Sequence, residues 1–199
     1  MQETGKRPGG ILLAGGPSSR MGKEKGEMLI HGIPMCQYPF RVLQELCGEI
    51  LVSSCKTVSF PGKFFLVCDE IRGIGPLGGL FSCLKIATSE LNLVLPWDMP
   101  GVTTQLMRLL LEKEKDYDLL VPALGENSPE PLCGIYRRSV VRTIEEMISD
   151  KEYAVHKLMG RVKTKVIRIE EKDPVYRNDL FRNINTPEEL EQFRKFTHG

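Results

Sequence analysis

Short apolar runs alternate along most of the chain with segments of helical periodicity. The runs predict buried strands, since short continuous apolar stretches are typical of strands covered on both faces; they comprise residues 11–14, 50–52, 64–67, 91–95, 119–122, 132–136 and 165–169. Between them, apolar residues recur at helical spacing, which predicts helices at 35–47, 80–87, 103–114, 138–148 and 154–159. A short strand or turn is predicted at 28–34. This alternation predicts a three-layer α/β sandwich with a mainly parallel sheet.

The last predicted helix has a complete start signal. Thr186 fits the N-cap position, Pro187 fits the first helical position, and Glu189 completes a capping box. This signal explains residues 186–189 without any ligand. It does not explain why two asparagines, Asn183 and Asn185, stand immediately before the helix.

Residues 12–25 carry the strongest chemical signal. A predicted strand runs into Gly15 and Gly16, which allow a sharp turn and a close approach of a ligand to the backbone. Serines and cations follow, including Arg20 and Lys25, and such a cluster favours a phosphate-bearing ligand. A P-loop is excluded, because the glycine spacing is one residue too long and a glutamate replaces the required hydroxyl residue. A solvated glycine-rich loop without a ligand is the alternative.

A second glycine-rich stretch, from Gly73 to Gly78, matches the dinucleotide-binding pattern Gly-x-Gly-x-x-Gly. Asp98 lies 20 residues beyond Gly78, as a ribose-binding carboxylate would. However, several polar residues separate the preceding predicted strand from Gly73, and Pro76 would lie inside the tight turn. A single match of this pattern is weak evidence, so dinucleotide binding stays a competing hypothesis.

Asp98 directly follows the most apolar predicted strand and is flanked by Pro96 and Pro100. Ligands of open α/β sheets bind outside the carboxyl ends of the strands. Asp98 is therefore predicted to lie at the same sheet edge as residues 12–25. A turn aspartate or a helix N-cap is the alternative interpretation.

Length and composition fit one globular domain, predicted to span residues 1–199. With 41% hydrophobic residues the chain is not disordered, and a formal net charge of +1 gives no field that favours nucleic acid or an anionic membrane as partner. No apolar run approaches the roughly 20 residues that span a bilayer. The N-terminus also lacks the apolar core of a signal peptide, so we expect a cytoplasmic protein.

The six cysteines contain no Cys-x-x-Cys pair, and most lie in apolar segments. They are expected to be reduced thiols in the core rather than zinc ligands, with a disulfide left open.

Several segments together resemble one enzyme family. Residues 13–25 read Leu-Ala-Gly-Gly-x-Ser-x-Arg-Met-Gly-x-x-Lys, which closely resembles the signature of nucleotidyltransferases related to molybdenum cofactor guanylyltransferase. Residues 75–79 resemble that family's Gly-Pro-Leu-Ala-Gly segment, with Gly78 in place of the alanine. Further similar segments are Asp98-Met-Pro, Glu130-Pro-Leu and Asn183-x-Asn185-Thr-Pro.

The resemblance implies a Rossmann-like nucleotidyltransferase sheet and an enzyme that transfers GMP from GTP to the phosphate of molybdenum-molybdopterin, releasing pyrophosphate. It implies that Asp98 binds Mg²⁺ and that Arg20 and Lys25 stabilise the triphosphate and the departing pyrophosphate. The nucleotide-binding residues that it implies, mostly in the N-terminal part, are Leu13, Ala14, Gly15, Gly16, Lys25, Asp69 and Asp98. The implied acceptor-binding residues in the C-terminal part are Asn183 and Asn185.

Two other kinds of function stay open. One is a related nucleotidyltransferase that uses CTP or a sugar or alcohol phosphate. The other is a non-catalytic nucleotide-binding adaptor. Molybdenum-insertion proteins and molybdoenzyme chaperones are further candidate partners that the resemblance suggests.

Overall fold

The computed structural model describes residues 7–15, 28–113 and 115–196. Its strands are β1 (Gly9–Leu13), β2 (Leu29–Ile30), β3 (Ile33–Pro34), β4 (Glu49–Ser53), β5 (Phe65–Val67), β6 (Leu91–Pro96), β7 (Leu119–Leu124), β8 (Gly134–Arg137) and β9 (Thr164–Ile169). Its helices are α1 (Gln37–Leu46), α2 (Pro76–Ile86), α3 (Thr104–Glu112), α4 (Val141–Ser149), α5 (Val155–Leu158) and α6 (Pro187–Phe196).

The described strands form one seven-stranded sheet in the order β5-β4-β1-β6-β8-β7-β9, with β2 and β3 as a separate hairpin. All neighbours in the large sheet pair in parallel except β8, which is antiparallel to both β6 and β7. The predicted mainly parallel α/β fold is therefore confirmed. The apolar β6 lies in the middle of the sheet, so its carboxyl end is near the centre of the edge where ligands bind in such folds.

Helices cover both faces of the sheet, and the side chains of β1, which point alternately to the two faces, pack against both layers of helices. Leu12 packs in a core cluster with residues of α1 and α3, whereas Ile11 and Leu13 pack in a second cluster with α2 and α4. Successive strand residues point to opposite faces, so a fully apolar strand supplies both cores. The result is the three-layer arrangement that the sequence predicts.

The start of α2 differs from the prediction. The helix begins at Pro76, with Gly75 as its N-cap at φ 69°, and not at residue 80. Glycines and a proline usually indicate a turn, but proline is also favoured at the first helical position, where its missing N–H costs nothing. The second glycine-rich stretch is thus the loop before α2 together with the first turn of α2.

The C-terminal helix packs on the β2–β3 hairpin through a third cluster of buried residues: Ile30, Met35, Ile184, Leu190 and Phe193. The predicted capping box is present. Thr186 Oγ1 accepts a hydrogen bond from Glu189 N at 3.2 Å, and Glu189 Oε2 accepts one from Thr186 N at 3.1 Å. Within the described residues, no helix is both long and apolar enough to cross a membrane.

The expectation of reduced cysteines is wrong at two positions. Cys55 and Cys68 form a disulfide, with their Cα atoms 4.4 Å apart, and both residues are exposed. They come shortly after the ends of β4 and β5, which are parallel neighbours, so the strand pairing brings them together. The remaining four cysteines are buried and are not part of a disulfide; they are Cys36, Cys47, Cys83 and Cys133.

Candidate active site

A cavity of about 690 Å³ opens at the carboxyl ends of β1 and β4. It is lined by Leu13, Gly15, Ser53, Asp69, Gly73, Gly75, Pro76 and Gly79. Three residues implied as nucleotide ligands, Leu13, Gly15 and Asp69, therefore lie around one space. Ala14 stands between the first two, is buried, and donates from its backbone N to Ser53 O at 3.1 Å.

Asp69 is held in place by a side chain that the sequence analysis did not identify. Ser53 Oγ donates a hydrogen bond to Asp69 Oδ1 at 2.8 Å. Ser53 is the last residue of β4 and pairs with Leu13 of β1, so its position depends on the strand order. Burial, with the nearby negative charge of Asp69, raises the pKa of the Cys83 thiol to about 12, so this neighbouring thiol stays protonated at neutral pH.

The first turn of α2 approaches Ser53 so closely that only glycine fits. A Cβ atom at Gly79 would lie 2.2 Å from Ser53 Oγ, and one at Gly78 would lie 2.6 Å from the carbonyl oxygen of Ile71. The alanine of the family segment would therefore clash at position 78 unless the loop moved. The N-terminal end of α2 lies at the cavity and has no side-chain cap, and such helix ends favour anionic groups.

Asp98 lies just beyond β6, at the sheet edge where the sequence analysis placed it, and is partly buried. Its carbonyl oxygen accepts a hydrogen bond from Ile184 N at 3.0 Å. This bond brings the segment with Asn183 and Asn185, both exposed, next to Asp98. Residues distant in sequence that were implied to bind the metal and the acceptor are thus adjacent in the fold.

Glu130 is a second carboxyl group near Asp98, and the sequence analysis assigned it no role. Burial raises the pKa of Glu130, and the negative charge of Asp98 raises it further. A hydrogen bond from Leu132 N to Glu130 Oε1, at 3.2 Å, partly offsets these effects. The position of Glu130 follows from the antiparallel strand β8, which the sequence pattern did not distinguish from a parallel one.

Three implied site residues, Gly16, Arg20 and Lys25, lie outside the described residues, and their roles stay predictions. Within the described part of the chain, no group of three or more His, Cys, Asp and Glu side chains is placed to hold a metal ion. Mg²⁺ does not require such a group, because it is commonly bound by one or two carboxylates together with substrate phosphates and water. The carboxylate of Asp98 fits that chemistry.

Comparison with known proteins identifies the family to which this chain belongs. Residues 10–166 match the family described as the MobA-like NTP transferase domain. The chain belongs to the MobA-like NTP transferase family. It is therefore a nucleotidyltransferase, and the dinucleotide-binding and adaptor hypotheses fall away.

Two relatives of this MobA-like protein are similar over nearly its whole length. A probable molybdenum cofactor guanylyltransferase of Carboxydothermus hydrogenoformans is 30% identical over 92% of this chain and 93% of its own. A molybdenum cofactor guanylyltransferase of Campylobacter jejuni is 29% identical over 92% of this chain and 94% of its own.

A solved structure has the same fold. The molybdopterin-guanine dinucleotide biosynthesis protein A of Archaeoglobus fulgidus superposes with a TM-score of 0.73, at 20% identity, over 96% of this chain and 98% of its own.

Proposed function

We propose that this MobA-like protein transfers GMP from GTP to the phosphate of molybdenum-molybdopterin, forming molybdopterin guanine dinucleotide and releasing pyrophosphate. The observation that carries the proposal is the cavity lined by Leu13, Gly15 and Asp69, which lies one strand away from Asp98. The names of the relatives that match over nearly the whole chain support this choice of substrates.

The nucleotide side of the site suits a guanine base. The Asp69 carboxylate is oriented by Ser53 Oγ and faces the cavity, where it can accept hydrogen bonds but cannot donate them. Guanine presents two adjacent donors on its Watson–Crick edge, the N1–H and the 2-amino group, whereas cytosine presents acceptors beside its single amino group. A fixed carboxylate therefore favours GTP over CTP.

Residues between the two substrates would neutralise the charge of the phosphates and position the reacting groups. Arg20 and Lys25, as predicted, would stabilise the triphosphate and the departing pyrophosphate, and a Mg²⁺ ion held by Asp98 would neutralise charge on the reacting phosphates. The acceptor is already a phosphate anion, so the reaction needs positioning rather than a strong general base. The described residues that line the cavity include no histidine, which agrees with that requirement.

The acceptor side is the segment 183–185, which the hydrogen bond from Ile184 N holds beside Asp98. The amides of Asn183 and Asn185 can supply both donors and acceptors to a pterin ring or its phosphate. Nucleotide and acceptor would then meet at Asp98, between the cavity and α6. Molybdenum-insertion proteins and molybdoenzyme chaperones would deliver or receive the cofactor.

Nucleotide selectivity tests the proposal. With Mg²⁺, GTP should raise the melting temperature more than CTP, ATP or UTP at equal concentration, because a ligand at 100 times its Kd adds about 2.7 kcal/mol of stability. Asp69→Asn should remove the preference for GTP, since the amide changes the donor and acceptor pattern while its oxygen can still accept from Ser53. Pyrophosphate release on adding molybdenum-molybdopterin completes the test. A larger shift with CTP would instead indicate the cytidylyl alternative.

A further inference from the structure

An exposed disulfide lies next to the wall of the nucleotide cavity. It joins Cys55, two residues beyond the end of β4, to Cys68, the residue that follows β5. Asp69, which lines the cavity, comes directly after Cys68. The disulfide therefore fixes the start of the loop that carries Asp69 and ends at Gly75, the N-cap of α2.

The strand before this loop is short and lies at the edge of the described sheet. β5 has three residues and pairs with β4. Beyond that pairing, Ser54 N donates to Val67 O at 2.9 Å, and Ser53 Oγ donates to Asp69 Oδ1 at 2.8 Å. Hydrogen bonds at the edge of a sheet open more readily than those in its core. A covalent link across the same two segments keeps Ser53 and Asp69 together when such bonds open.

The surroundings of the disulfide favour its attack by a thiolate. Both cysteines are exposed, so a thiol reagent can reach either sulfur atom, and exposed disulfides are in general more easily reduced than structural ones. Arg72 Nη2 donates a hydrogen bond to Cys68 Sγ at 3.7 Å. A guanidinium group in this position stabilises a thiolate, which makes Cys68 the better leaving group and directs the attack to Cys55 Sγ.

We propose that the Cys55–Cys68 disulfide is a thiol-exchange site whose opening lowers the affinity of the protein for its nucleotide. A thiolate of a dithiol forms a bond to Cys55 Sγ, the bond between the two cysteine sulfur atoms breaks, and Cys68 leaves as a thiolate beside Arg72. The second thiol of the reagent, as its thiolate, then displaces Cys55 from the mixed disulfide. The protein disulfide gains two electrons and the dithiol becomes a disulfide, while the protons of the reagent pass to the cysteines or to solvent.

Opening the disulfide acts on binding through the position of Asp69. In the oxidised protein this carboxylate is held at the cavity before the nucleotide arrives, whereas in the reduced protein binding must also order the segment that carries it. Such ordering lowers affinity. The inference rests on the proposed function for the identity of the nucleotide, which is GTP. The alternative is a disulfide that adds stability to the folded protein and leaves binding unchanged.

The first experiment measures the Kd for GTP with Mg²⁺ by isothermal titration calorimetry, before and after treatment with dithiothreitol. The oxidised wild type should bind GTP at least about fivefold more tightly than the reduced wild type. The double variant Cys55→Ser, Cys68→Ser should bind GTP as the reduced wild type does, and dithiothreitol should not change its Kd. Because this variant retains the four buried cysteines, it also shows whether those thiols contribute to the response.

The second experiment measures the rate at which dithiothreitol opens the disulfide, by alkylation of the new thiols and mass spectrometry. Arg72→Gln removes the cation beside Cys68 and should slow the opening at least about threefold. Lys63→Gln is the matched control, because it removes an exposed cation from the segment between the two cysteines. It should open at the rate of wild type. An equal rate in Arg72→Gln would overturn the assignment of Cys68 as the leaving group.

Equal affinity of the oxidised and reduced wild type for GTP would overturn the inference, and so would a double variant that binds GTP as tightly as the oxidised wild type. A preference for GTP over CTP in those cases leaves the proposed function intact. If the oxidised wild type prefers CTP, the proposed function is overturned, and the ratio of the CTP affinities in the two redox states then tests the inference by itself. Circular dichroism at the assay temperature shows whether the reduced protein is folded; an unfolded reduced wild type would mean that the disulfide is structural and would overturn the inference.

Discussion

At the scale of single residues, Asn185 lies where a structural cap meets the proposed acceptor site. The capping box uses the backbone of Asn185, because Glu189 Oε2 accepts hydrogen bonds from the backbone N atoms of Asn185 and Thr186, and substitution of the Asn185 side chain leaves both bonds in place. Asn185→Ala should therefore change the free energy of unfolding by no more than about 0.5 kcal/mol. It should raise the KM for the pterin acceptor and leave the KM for GTP unchanged.

Thr186→Ala is the control for Asn185, because it removes the side-chain oxygen that accepts from Glu189 N. Losing such a cap costs about 1 kcal/mol, so this variant should melt earlier while its acceptor KM stays normal. If Asn185→Ala is the less stable of the two variants, or if its acceptor KM is normal, Asn185 has no role in acceptor binding.

Individual site residues could be predicted only where local sequence determines their place. Asp98 follows an apolar strand, and any such strand in a parallel sheet delivers its next residues to the ligand edge. Ser53 and Glu130 reach the site through the order and direction of strands: β4 lies beside β1, and β8 runs antiparallel beside β6. Those pairings are not local, so hydrophobic periodicity in one segment cannot show them.

At the scale of elements, periodicity located the helices and strands but not all of their ends. The start of α2 differs from the prediction because its first turn contains glycines, which have a low helical preference. Tertiary contacts favour them there: a Cβ atom at Gly79 would lie 2.2 Å from Ser53 Oγ, and one at Gly78 would lie 2.6 Å from the carbonyl oxygen of Ile71. The disulfide was missed for a related reason, since Cys55 and Cys68 become neighbours only when β4 and β5 pair. In both places tertiary contacts override the local pattern.

The disulfide joins the segments that follow β4 and β5, and Cys68 directly precedes Asp69. Replacing both cysteines by serine should lower the free energy of unfolding by up to about 3 kcal/mol, as expected for a closed loop of roughly 15 residues. It should also weaken GTP binding, because Ser53 and Asp69 are then less well fixed to each other. Chemical denaturation and nucleotide-dependent melting shifts measure the two effects.

Reductant provides the control for that prediction. The stability of wild type treated with a dithiol should fall to that of the double variant, whereas the stability of the double variant should not change on treatment.

The four remaining cysteines are buried, and burial raises the pKa of Cys47 to about 12, so these thiols should react slowly with thiol reagents in the native protein. Equal stability of oxidised and reduced wild type would show that the disulfide does not constrain the fold.

At the scale of the whole molecule, the site draws on parts of the chain that are far apart. The family match ends at residue 166, yet the segment beside Asp98 and the helix that follows it lie beyond that point. Helix α6 returns to the N-terminal half through the cluster containing Ile30 and Phe193. The nucleotide-binding and acceptor-binding parts would therefore be one folding unit, as the predicted single domain requires.

Phe193→Ala tests whether the two parts unfold as one cooperative unit. Phe193 is 2% exposed, and truncating a buried phenylalanine costs about 3 to 5 kcal/mol. The single tryptophan, Trp97, lies in the different cluster formed with α1 and α3, so its fluorescence follows the main core while far-ultraviolet circular dichroism follows all helices. In one cooperative domain, Phe193→Ala should lower both melting temperatures by the same amount. Phe65→Ala, at a side chain that is 64% exposed, should change neither much. The contrary outcome is an early dichroism transition during which the fluorescence of Trp97 does not change. In that case the packing around Phe193 is not coupled to the sheet, and α6 and the hairpin unfold independently of it.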